Sequence, residues 1–150
     1  MESLLVRIFR VSGEYNDLPL PSYMTDGSAG MDIFAAVKDT MIIEANSSAL
    51  VPTNLKIELP VGLEAQIRPR SGLALKSKVI IPNSPGTIDS DYRGEIKIIM
   101  LNLGTEPFTV RRGDRIAQMV ISEYKRVKWE ESTSLAETGR GEGGFGSTGR

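Results

Sequence analysis

Apolar residues in this chain come in short bursts, each closed within a few positions by a glycine, proline, asparagine or aspartate. That interruption limits the fold most, because a helix needs roughly ten residues of 3.6-period patterning while a strand needs only about four to eight of alternation. Leu4, Val6 and Ile8 alternate with Leu5, Arg7 and Phe9 as a first strand. Residues 50–59 hold Val51, Leu55, Ile57 and Leu59, interrupted by Pro52 near one end. Leu63, Ala65 and Ile67 alternate with Glu64, Gln66 and Arg68, the pattern of a half-buried strand. Residues 78–81 add a short strand, and residues 115–124 another, carrying Ile116, Met119, Val120 and Ile121. Residues 95–103, EIKIIMLNL, are nearly continuous in apolar character, which predicts burial on both faces. Helical signals are confined to residues 72–76, one or two turns, and 130–137, which reads better as a link to the tail. Many short strands at close spacing predict an all-β sandwich, jelly roll or barrel.

At 150 residues, 40% hydrophobic and 25% charged, the chain suits one domain. So short a chain leaves much surface exposed, and burial between subunits would help. The formal net charge of −1 argues against broad nucleic-acid binding but not against a small anionic ligand. With no cysteine and no histidine, a disulfide framework, zinc sites built on Cys or His, and His-based triads or general bases are excluded. Catalysis must then use carboxylates, hydroxyls, Lys, Arg, Tyr or a metal held by oxygen. Residues 1–11 are apolar but broken by Arg7 and Arg10, and no run of about 20 apolar residues exists. A cytoplasmic protein without a membrane span is expected. At Thr138 the composition shifts to TGRGEGGFGSTGR, which divides the chain into a body, 1–137, and a Gly-rich segment, 138–150.

Five segments have the parts for chemistry. In RPRSGLAL, residues 68–75, a bidentate cation, Arg70, precedes a hydroxyl, Ser71, and a permissive Gly72. A phosphate site fits, and so does an ordinary turn after a strand. In PNSPGTIDSDYRGEI, residues 82–96, two turn signals flank a hairpin arm at residues 87–91. Asp89 and Asp91 have strand spacing and would share a face, and an aspartate near a phosphate can take a proton from water. Solvated hairpin charge is the alternative. Tyr92 offers a ring for stacking or simple packing. In RRGDRIAQMVI, residues 111–121, a turn enters an apolar strand, where Asp114 can pair with an arginine and Gln118 can donate to a phosphate. The tail sets Phe145 among glycines with Ser147, Thr148 and Arg140 nearby, as a loop closing on an anion or as a disordered end. In GSAGMDIFAA, residues 27–36, Asp32 sits between apolar neighbours, on a polar face or buried and paired.

Each segment alone is weak, but their order is specific. AGMDIFAA, RPRSGLAL, GTIDSDYRGEI, RRGDRIAQMVI and RGEGGFGSTGR resemble, in order, the five sequence blocks of the trimeric dUTPase family, over nearly the whole chain from about Leu18. The resemblance implies a jelly-roll-like β-barrel or sandwich, assembled as a homotrimer with active sites shared between subunits. It implies hydrolysis of dUTP to dUMP and diphosphate, which keeps uracil out of DNA and supplies dUMP for thymidylate synthesis. Residues 138–150 would be a mobile arm that closes over the nucleotide.

Carried over by the resemblance, Asp89 activates the water that attacks the α-phosphorus, and Tyr92 lies against the deoxyribose. Asn83 and the backbone of Gly86, Thr87, Ile88 and Asp89, with Lys97 on the facing strand, read uracil. Arg70, Ser71, Gly72 and Gln118 hold phosphates. Phe145 stacks on the base, while Arg140, Gly146, Ser147 and Thr148 close over the triphosphate. Asp32 and Asp114 are supporting residues. The implied cofactor is Mg2+, held mainly by the triphosphate and water. One departure is SKVIIP after LALK, where many relatives have a His-Gly pair. The rival readings are a dCTP deaminase, a bifunctional deaminase/dUTPase, and a non-catalytic nucleotide-binding or structural jelly-roll module.

Overall fold

A computed structural model describes residues 4–145 of the chain. Its elements are β1 (Arg7–Arg10), a 3-10 turn (Gly13–Tyr15), β2 (Met31–Phe34), β3 (Thr40–Ile43), β4 (Ser48–Pro52), β5 (Leu55–Glu58) and β6 (Leu63–Arg68). There follow the single helix α1 (Ser71–Ser77), β7 (Val79–Ile80), β8 (Gly86–Ile88), β9 (Lys97–Asn102), β10 (Phe108–Arg111) and β11 (Arg115–Glu123). Every pairing between these strands is antiparallel. The sheets run β2-β11-β6-β8, β4-β9-β7, β1-β5 and β10-β3. Among the described residues no helix is long and apolar enough to cross a membrane.

One core joins the sheets. Ile33, Ala65, Ile116 and Ala117 of the four-stranded sheet meet Val51, Val79, Ile98 and Met100 of the three-stranded one, with Ile43 and Val110 closing a side. Alternation places these side chains inward. Asn102, fully buried, ties two turns together. Its Nδ2 donates to the carbonyls of Ile43 (2.9 Å) and Glu106 (2.8 Å), and its Oδ1 accepts from the Gly104 amide (2.9 Å). Buried polar atoms need such partners, and no described buried side-chain polar atom lacks one.

The all-β expectation holds, with local differences. The 50–59 run is two strands, because Asn54 takes a left-handed φ of 61° and turns the chain between β4 and β5. Its amide side chain closes that corner, accepting from Ser12 N and donating to Ser12 O. The first strand starts at Arg7 rather than Leu4, since pairing begins at Arg7 opposite Glu58. In β9 only Ile98, Met100 and Asn102 face the core, while Ile99 is 38% exposed opposite Leu50 on β4, 53% exposed. The sheet holding β9 has core on one face only, so the expectation of burial on both faces fails for the single chain. Residues 130–137 form no helix, and residues 125–142 are exposed.

Candidate active site

Five of the expected residues, Asp32, Arg70, Ser71, Gly72 and Gln118, lie where β2, β11 and the entry to α1 converge. Asp32 on β2 is 15% exposed at its side chain and receives two guanidinium groups, Arg70 Nε on Oδ1 at 3.1 Å and Arg115 Nη1 on Oδ2 at 3.2 Å. Arg70 also donates to the Arg115 carbonyl at 3.1 Å. Gln118 lies directly across from Asp32 on one side and Arg68 on the other, and its Nε2 donates to the Pro69 carbonyl at 2.9 Å. Gly30 makes room for it, since a Cβ there would stand 2.5 Å from Gln118 Oε1. Ser71 and Gly72 open α1 on the exposed side, at its first turn, where amides lack helical partners. A cleft of about 480 Å³ lies beside this cluster, lined by Arg70, Leu73, Phe108, Arg111, Asp114 and Arg115 among others. The cluster joins a fixed carboxylate to cations with free N–H donors, a surface suited to phosphate oxygens.

The turn that launches β11 is anchored from behind. Gly113 takes a φ of 79°, and the Asp114 amide returns to the Arg111 carbonyl. Arg112 grips Asp17 with two nitrogens and stacks over the Tyr15 ring at 4.5 Å. That guanidinium holds the Asp17 carboxyl below its usual range. Asp114 differs from expectation. Its Oδ2 accepts the Arg111 amide at 2.8 Å, because the tight turn brings the backbone N–H within reach, and none of the described ion pairs includes it.

The second group is the hairpin after α1. β8 is the edge strand beside β6, with Gly86, Thr87 and Ile88 opposite Ile67, Gln66 and Ala65. Gly86 and Ile88 are buried and Thr87 exposed, and because β8 pairs with β6 alone its outer edge has no strand partner. Gly86 packs on Asn83, whose Nδ2 would stand 2.9 Å from an added Cβ. Asp89 is exposed just past the strand, and Asp91 lies in the turn beyond it, so the two do not share a strand face as expected. The Tyr92 amide donates to the Asp89 carbonyl at 3.1 Å, and its Oη donates to the Glu95 carbonyl at 3.1 Å.

Lys97 does not lie on a strand facing β8. It begins β9 in the other sheet, opposite Pro52, with its Nζ 3.7 Å from Glu95 Oε2, because the 91–96 turn carries the chain across the sandwich. Arg140 turns inward on its own segment, Nε to the Gly143 carbonyl at 2.7 Å, and Phe145 is fully exposed. Gly146, Ser147 and Thr148 lie outside the described residues. Nor does one chain bring the two groups together. Asp89 follows the residue paired with Ala65, toward one end of β6, whereas Arg70 and α1 follow its other end. Three strand steps from Ala65 to Arg68 already span roughly 10 Å, before Pro69 and Arg70 add more.

The sequence reading missed Arg115 and Glu95. Arg115 and Gln118 have a spacing that places them on opposite faces of a regular strand. A bulge between Arg115 and Ala117 resets the alternation and turns both toward Asp32. Glu95 holds the Asn54 amide on Oε1 at 2.9 Å. Only the tertiary corner at Asn54 reveals that role.

Among the described residues no three His, Cys, Asp or Glu side chains converge. The donors near Arg70 are cations and amides around one engaged carboxylate, a set that suits an anion carrying its own divalent ion.

Comparison with known proteins completes the picture. A family model described as dUTPase matches residues 16–149. Deoxyuridine 5'-triphosphate nucleotidohydrolases of Rickettsia felis and Rickettsia canadensis are 59% and 60% identical over 130 residues, covering 87% of this chain and 88% of each relative. A Staphylococcus bacteriophage 80alpha dUTPase variant with dUpNHpp superposes with a TM-score of 0.88 at 23% identity, over 99% of this chain and 100% of that one. A variant dUTPase from phage phi11 of S. aureus, described with a structural Mg(II) ion, gives 0.79 at 20% identity over 89% of this chain and 100% of the other. With the family model spanning nearly the whole chain and close relatives matching over most of their length, this chain belongs to the dUTPase family.

Proposed function

We propose that this chain hydrolyses dUTP to dUMP and diphosphate as a homotrimer in the cytoplasm, with Asp89 drawing a proton from the water that attacks the α-phosphorus. The observation that carries this reading is the hairpin of β8. An exposed carboxylate stands just past an edge strand whose outer side has no strand partner and would pair with a base, and Tyr92 is tied to the same turn. Fixed backbone groups favour uracil, because the cytosine amino group would leave them unpaired, and a close backbone excludes the thymine methyl sterically. Arg70, Gln118 and the first amides of α1 hold the triphosphate, and Asp32 keeps Arg70 oriented. A magnesium ion, bound through phosphate oxygens and water, would offset charge as diphosphate leaves. Asp89 would hold the water in line and accept its proton.

Two features support assembly. Asp89 and Arg70 lie toward opposite ends of β6, so a nucleotide touching both takes them from different subunits. The exposed cross-strand pair Leu50 and Ile99 gives an outer sheet face suited to contact with another copy. The segment 138–150 would then act as an arm closing on a neighbour's nucleotide, with Phe145 on the base. Deamination of dCTP finds no support in Glu95, whose carboxylate is committed to the Asn54 amide and Lys97.

Diphosphate release from dUTP, dCTP and UTP, with and without magnesium, tests the reading. We expect turnover of dUTP alone, and its near-complete loss in Asp89→Asn with nucleotide binding retained. An Asp89→Asn enzyme running at the parent rate would remove the base assignment.

A further inference from the structure

Resting on the reading of Tyr92 as the wall against deoxyribose, we infer that Gly94 is a specificity-determining position, whose missing side chain lets that wall lock. An ideal Cβ at Gly94 would stand 2.2 Å from Tyr92 Oη, 2.4 Å from Cζ and 2.8 Å from Cε2, far inside any tolerable contact. The ring therefore occupies the space a side chain at position 94 would fill. Backbone freedom does not explain this glycine. Gly62, Gly113 and Gly141 are the described glycines with left-handed φ, and Gly94 is not among them. Its φ lies outside the left-handed region, and the nearest atoms that an added Cβ would meet are those of the Tyr92 ring.

Gly94 thus lets a half-exposed tyrosine fold back over its own turn. Oη reaches the Glu95 carbonyl while the Tyr92 amide holds the Asp89 carbonyl. The acceptor is itself fixed. The Glu95 carboxylate takes the Asn54 amide, and the next residue, Ile96, donates to the Leu55 carbonyl at 2.8 Å and accepts from Thr53 Oγ1 at 2.6 Å. A wall excludes a 2′-hydroxyl only if it cannot swing aside. The ring, pinned at both ends and seated on Gly94, meets that need, and the same turn sets the position of Asp89.

The experiment measures kcat/KM for dUTP and for UTP, with melting temperature, in the parent enzyme, Gly94→Ala, Tyr92→Ala and the double variant. Gly94→Ala should lower discrimination against UTP by at least about tenfold, the scale set by one packed group in a rigid pocket. The double variant should discriminate no worse than Tyr92→Ala, since without the ring the added methyl meets nothing. If Tyr92→Ala relaxes discrimination and Gly94→Ala does not, the inference falls while the pentose reading stands. If Tyr92→Ala leaves discrimination unchanged, the pentose reading itself fails. Should Gly94→Ala fail to fold, the double variant decides. Folding restored by loss of the ring supports the clash, and failure in both backgrounds overturns it.

Discussion

Asp32→Asn tests how the charge cluster is held. The substitution keeps shape and removes the charge that two guanidinium groups share. A charge-assisted hydrogen bond in a partly buried site is worth about 1.5–3 kcal/mol, which applies to Arg70. Arg115 is half exposed, so solvent screening reduces its share to about 0–1 kcal/mol. Asparagine keeps one acceptor, which returns part of the loss. The net is about 2 kcal/mol, or roughly 4–8 °C in melting temperature for a chain of this size. Thermal and urea unfolding at one fixed protein concentration would read it, which holds any contribution from assembly constant. Turnover should show a raised KM for dUTP, because Arg70 loses the carboxylate that aims it. The effect should also shrink in an Arg70→Ala background. Equal losses with and without Arg70 would refute the reasoning, because Asp32 would then act through something other than this pair.

Asn102→Leu should cost about 2–4 kcal/mol, as the buried carbonyl of Ile43 and the partners at Glu106 and Gly104 lose their bonds, each unsatisfied group costing about 1–3 kcal/mol. A urea midpoint close to the parent's would mean that water replaces the side chain. Acid should weaken the anchor behind the 111–114 turn. Arg112 lowers the folded-state pKa of Asp17 below the ordinary 3.8, so its contribution is complete above that value and fades as pH falls through the folded one. Asp17→Asn should therefore melt slightly below the parent at about pH 7 and converge with it in acid, once pH has fallen below the lowered folded-state pKa, and a gap that persists in strong acid would contradict the pairing.

Much of this was legible because alternation is local. Residues 63–68 and 115–123 become strands almost to the residue, since each has an apolar face and turn signals at its borders. What escaped depends on nonlocal geometry. The bulge that swings Arg115 onto Asp32 has no mark in the residue types around it. The corner at Asn54 is visible only as a polar residue between apolar runs, a weak hint of left-handed backbone. The apolar outer face of β9 reads as buried because sequence registers hydrophobicity, not what covers it. Asp89 and Arg70 lie in neighbouring blocks of sequence, yet β6 carries them apart, and no spacing rule foretells that.

The span of β6 has a genetic consequence. If every catalytic centre draws its aspartate from one subunit and its arginine from another, then two crippled alleles can rescue each other. Co-expressed chains, one lacking the Asp89 carboxylate and the other the Arg70 guanidinium, would build mixed particles in which some centres inherit both intact groups, though neither parent protein works by itself.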